Sequence, residues 1–122
     1  MTSPDIVLLG VDWRSRALIR AQLIEEGYEV IAVDDWPTAR RVLRLSPAIR
    51  VAIVDLEGLV DPVSVLREIR LVVDPSRVLV LGGLGTIVPS DIRSLGLHAI
   101  FRPFTIRDVV TEVALRAGRH EE

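Results

Sequence analysis

Asp5-Ile6-Val7-Leu8-Leu9-Gly10-Val11 is the stretch from which the fold can be read. Its apolar residues are consecutive rather than alternate, so a strand made of them needs cover on both faces, as in the interior of a parallel sheet. The rest of the chain fits that frame. From Arg14 to Glu26 the positions Ala17, Leu18, Ala21, Leu23 and Ile24 recur at helical spacing, and Gly27 supplies the stop. Glu29 to Val33 is short and β-branched, and Asp34-Asp35-Trp36-Pro37 offers an N-cap with proline in the first turn of a helix through Leu45. Ser46-Pro47 breaks that helix, and Val51-Ala52-Ile53-Val54 is the next buried run, closed by Asp55.

The alternation continues to the end of the chain. Pro62 starts a helix to about Leu71, and Val78 to Leu81 is a fourth strand that runs into Gly82-Gly83-Leu84-Gly85. Pro89 to Leu95 reads as a short helix and His98 to Phe101 as a fifth strand. The last helix runs from Thr105, its N-cap, to about Ala117, with Asp108 placed to complete a capping box. Five strand and helix pairs with short connections predict a parallel sheet with helices on both faces.

Composition narrows the function. At 122 residues the chain is one domain, long enough to bury roughly two thirds of its unfolded surface without a staple, and it has no cysteine. Apolar runs such as Ile6 to Val11 fall far short of the roughly twenty residues of a membrane span. The start Met1-Thr2-Ser3-Pro4-Asp5 lacks the basic and apolar regions of an export signal, so the expected location is the cytoplasm. Seventeen acidic residues against fifteen basic ones, spread along the chain, argue against a grip on nucleic acid. All the basic residues are arginine, which excludes Schiff-base chemistry and a phosphate-loop lysine.

In open parallel sheets, ligands bind beyond the carboxyl ends of the strands. The residues there are Gly10, Val11 and Asp12 after the first strand, Asp55 and Glu57 after the third, Gly82 and Gly83 after the fourth and Arg102 after the fifth. Five βα units in about 120 residues, an aspartate ending the third strand and Arg102-Pro103-Phe104 after the fifth resemble a bacterial two-component response-regulator receiver domain over essentially the whole chain. The resemblance implies a flavodoxin-like three-layer α/β sandwich with strand order 2-1-3-4-5, and it makes Asp55 the phosphoacceptor candidate.

Matched position by position, much of the family's site is degenerate here. Gly10 and Val11 stand where an acidic pair would hold Mg²⁺, with Asp12 one place later. Gly82 replaces the hydroxyl residue that ends strand four, Arg102 the lysine before Pro-Phe, and Ala99 the aromatic switch residue of strand five. Leu59 and Val63 stand where the family has proline and glycine. Phosphoryl transfer to a carboxylate brings two anions together and needs cationic charge, and Mg²⁺ needs near-octahedral oxygen ligands. Asp55 is the one clear metal ligand, with Asp12 and Glu57 as weak additional candidates, so no cofactor is required and any Mg²⁺ is expected to bind weakly. Arg102 either clamps phosphate or pairs with Asp55, and its planar fork is not interchangeable with an ammonium.

Other features read as structure. The glycines of 82–85 break the dinucleotide-loop spacing at Val88, and His98 and His120 alone are too few for a zinc site. No serine sits in a nucleophile turn; Ser64 and Ser94 are expected on helix surfaces. Trp13 and Trp36 are each either edge packing or a partner anchor, and Arg40, Arg41 and Arg44 form a solvated helix face. Ile106, Val109, Val110, Val113 and Leu115 give the last helix more apolar positions than one stripe needs. The resemblance implies a homodimer surface on helix 4, strand 5 and helix 5.

The expectation is a non-enzymatic signalling module that docks to a histidine kinase, phosphotransfer protein or output protein, or dimerises, without dependence on phosphorylation. The alternatives are a working receiver phosphorylated on Asp55 with Mg²⁺, and a small nucleotide-binding or enzymatic domain of the same fold.

Overall fold

A computed structural model describes residues 4–83, 85 and 87–118 of the chain. Residues 1–3 of the export reading, Leu84 of the glycine-rich loop and His120 lie outside the described residues. The elements alternate as β1 (Ile6–Leu9), α1 (Trp13–Glu25), β2 (Val30–Val33), α2 (Trp36–Leu45), β3 (Val51–Asp55), α3 (Pro62–Val72), β4 (Val78–Gly82), α4 (Pro89–Ser94), β5 (His98–Phe101) and α5 (Ile106–Arg116). The five strands form one parallel sheet in the order β2-β1-β3-β4-β5, the flavodoxin-like arrangement.

The consecutive apolar residues of the inner strands serve two cores at once. Successive side chains point to opposite faces of a sheet. Val7, Leu9, Ala52, Val54, Val78 and Val80 pack on one face with Trp36 and Leu43 of α2 and Leu66 and Ile69 of α3. Ile6, Leu8, Val51, Ile53, Leu79 and Leu81 pack on the other with Ile19 and Leu23 of α1 and Val109 and Val113 of α5. Trp36 is thereby a core residue, its indole N–H donating to Glu68 at 3.2 Å, and not a partner anchor. Trp13 is 63% exposed.

The helix starts follow from their caps. Asp12, Asp35 and Asp61 each accept a hydrogen bond from the backbone N–H three residues on, opening α1, α2 and α3. Thr105 and Asp108 close the reciprocal box at the start of α5. Two details differ from the sequence reading. β1 is shorter than the apolar run because Gly10 and Val11 already turn toward α1, and a short 3-10 turn at Pro75–Arg77, capped by Asp74, precedes β4.

Candidate functional site

The carboxyl edge of the sheet brings Asp55, Glu57, Gly82 and Arg102 together. Asp55 ends β3 and is 3% exposed, the one buried charged residue among those described. An isolated buried carboxylate is costly, so it needs a cation and hydrogen bonds. Arg102, two strands away at the end of β5, supplies them as a two-pronged clamp: Nη2 lies 2.8 Å from Oδ2 and Nη1 lies 3.1 Å from Oδ1. The Glu57 backbone N–H donates to the same Oδ1 at 3.1 Å.

The guanidinium is held on every side. Its Nη1 also donates to the Gly82 carbonyl at 3.3 Å, its Nε lies 3.7 Å from Glu57 Oε2, and its Cζ lies 4.9 Å from the centre of the Phe104 ring. Burial alone would lower its pKa, yet the Asp55 hydrogen bond and the charges of Asp55, Glu57 and Asp12 outweigh it and hold the group above its ordinary value. Arg102 is a fixed cation seated where the sheet's strand ends converge.

At the end of β1, Gly10 is buried and Val11 is 41% exposed, so neither offers an oxygen side chain. The Gly10 carbonyl accepts a 2.7 Å hydrogen bond from Arg16 Nη1. Asp12 caps α1 through Ser15, whose hydrogen bonds hold its carboxyl below the usual range. Ala99 lies half-buried in β5 against the α2 and α3 core. Gly82 ends β4 in register with Phe101 of β5.

The donors present do not fit a resident divalent cation. Both Asp55 oxygens face the guanidinium, the Asp12 carboxylate is committed to its helix cap, and no group of three acidic or histidine side chains gathers around a common point among the described residues. The weak metal set Asp12, Asp55 and Glu57 is therefore not assembled as a site. The pairing of Asp55 with Arg102, one of the two roles that the sequence left open for the arginine, is the one that the structure adopts.

At this edge of the sheet the connections after β1, β3 and β4 present exposed apolar side chains, Val11, Val60 and Val88, and Trp13 at the start of α1 adds another. A groove of about 620 Å³ runs from Arg102 between α1 and the segment after β5, lined also by Leu18, Ile19, Phe104 and Ile106. On α5, Val109, Val110 and Val113 are buried while Ile106 and Leu115 face outward. His98 of β5 pairs with Glu112 of α5 at 3.0 Å, and Arg116 reaches the same carboxylate at 3.1 Å. No described helix is long and apolar enough to cross a membrane.

No family model and no curated protein matches the chain. Solved structures do. The receiver domain of NtrX from Brucella abortus is 28% identical, with 93% of this chain and 97% of that one covered and a TM-score of 0.75. A response regulator receiver protein from Sinorhizobium medicae WSM419 is 22% identical over 98% of both chains, with a TM-score of 0.76. In the longer NtrX structures the chain spans 27% of the protein it matches. These neighbours are response-regulator receiver domains, and the chain has their fold.

Proposed function

We propose that the chain is a receiver-type signalling domain of the two-component kind that works by docking to a signalling protein or to itself, with Asp55 closed to phosphorylation. The observation that carries this reading is the clamp of Arg102 on both oxygens of a buried Asp55. An attacking carboxylate needs a free oxygen and neighbouring charge that can follow the incoming phosphoryl group. Freeing Asp55 means drawing a charge-assisted fork away from a carboxylate with almost no solvent access.

The neighbouring positions support the same conclusion. Gly82 has no hydroxyl to hold a phosphoryl oxygen, and Ala99 has no ring to move in response. The likeness to receiver domains supports a histidine kinase, a phosphotransfer protein or an output protein as the docking partner, with the cytoplasm as the place of action. The exposed apolar side chains of Trp13, Val60 and Val88 rim the closed site and suit such docking. A homodimer through α4, β5 and α5 is the second form of association that we assign to this reading.

The test is phosphorylation itself. The protein is incubated with Mg²⁺ and either acetyl phosphate or beryllofluoride, then followed by intact mass and by calorimetry. No adduct and no binding heat are expected. Stoichiometric uptake by the wild type, lost in Asp55→Asn, would overturn the proposal and establish a working Mg²⁺-dependent phosphoacceptor.

A further inference from the structure

Two of the glycines at the carboxyl edge, Gly10 and Gly82, differ in what surrounds them. A methyl group placed on Gly10 would meet only ordinary contacts, 3.6 Å from Arg16 Cβ and 3.7 Å from Asp55 Cβ. Placed on Gly82, the same group would overlap the Phe101 ring, lying 2.5 Å from its Cε1. Position 10 has room for a methyl group and position 82 does not.

We propose that Phe101 is a steric lock on this end of the sheet, its ring seated in the space that any side chain at position 82 would need. The lock deepens the docking reading by naming what keeps position 82 without a hydroxyl; its bearing on signalling rests on that reading, whereas its packing does not. Gly82 and Phe101 are paired in register across β4 and β5, and the ring packs against the core on the α2 and α3 side. Arg102 follows Phe101 directly, and both its backbone N–H and its Nη1 donate to the Gly82 carbonyl. The ring, the glycine and the clamping arginine thus form one unit. A residue that pushed the ring aside would disturb the arginine's seat as well.

Backbone conformation does not account for the glycine. Gly82 lies in a regular strand, outside the left-handed glycines of the chain, so an alanine is compatible with its backbone. Where space allows, such a replacement stabilises a protein by restricting the unfolded chain. The three nearest atoms that a methyl group at position 82 would meet all belong to the Phe101 ring, which is what makes the substitution unfavourable here. The sign of its effect should therefore depend on residue 101.

The experiment is a double-mutant cycle read by urea unfolding. In the wild type, Gly82→Ala is expected to raise the unfolding constant roughly 5- to 150-fold, the size of an ordinary overpacking penalty. In a Phe101→Ala background the same change is expected to lower that constant about two- to fivefold. Phe101→Val serves as a second background in case the alanine variant does not fold. The same sign in both backgrounds would overturn the lock and leave the docking proposal standing. Phosphoryl uptake by the wild type would overturn the docking proposal without changing the sign reversal.

Discussion

A buried carboxylate is tolerable only while its partner stays, and that makes Arg102 the residue on which the site's integrity turns. Replacing it by methionine keeps the length of the side chain and removes the charge. The cost expected is about 2–4 kcal/mol by chemical denaturation, set below the full penalty for breaking a buried pair because Arg102 is 23% exposed. Adding Asp55→Asn to Arg102→Met should recover most of that loss, since the stranded charge is then gone. An unrecovered loss would mean that the guanidinium matters mainly by packing on Phe104. This pair was readable from sequence because strand ends of opposite charge converge in a parallel sheet. The position of Asp12 was only partly readable: a residue just before a helix serves as its cap, and that use competes with metal binding. The reason for Gly82 was not readable at all, since it depends on a ring 19 positions later that only strand pairing brings alongside.

Helix ends carry the pH response of the individual elements. Ser15 lowers the pKa of Asp12, Thr38 that of Asp35 and Ser76 that of Asp74, in each case through hydrogen bonds to the carboxylate. A folded-state pKa below the ordinary 3.8 means that these caps stabilise fully above that value. Their contribution is lost as pH falls through the lowered folded values. Urea midpoints should accordingly hold steady from neutrality to about pH 5 as far as these caps are concerned, then drop with acid. Asp35→Asn, which keeps a capping oxygen but does not titrate, should flatten part of that drop. At the start of α5, Thr105→Ala removes one half of the capping box and is expected to cost about 1 kcal/mol. Circular dichroism against urea would check it. Elements and their order were legible because proline, aspartate and glycine punctuate the apolar runs. The 3-10 turn at Pro75–Arg77 was missed, although Asp74-Pro75 before Ser76 carries the turn signal, because one turn has no hydrophobic period to detect.

For the whole molecule, the sheet is the shared wall of two cores, so damage on either face should weaken a single unfolding transition. Leu66→Ala, on the α2 and α3 face, is expected to cost about 2–5 kcal/mol and to shift the unfolding of both faces together. If the domain is closed to phosphorylation, adding Mg²⁺ and beryllofluoride should change neither that transition nor the sedimentation profile. A ligand that binds only the folded state would raise the midpoint by mass action. The architecture was legible in the consecutive apolar runs, whereas the surface that meets a partner was not, because exposure is a property of the assembled faces. The two tryptophans divide along the same line. Trp36 is 8% exposed in the core and Trp13 is 63% exposed at the start of α1, at the carboxyl edge of the sheet. The protein thus contains two intrinsic fluorophores of opposite accessibility. A dissolved quencher should dim Trp13 and spare Trp36, so a partner that shields the rim and a denaturant that opens the core would leave different optical signatures without any added label.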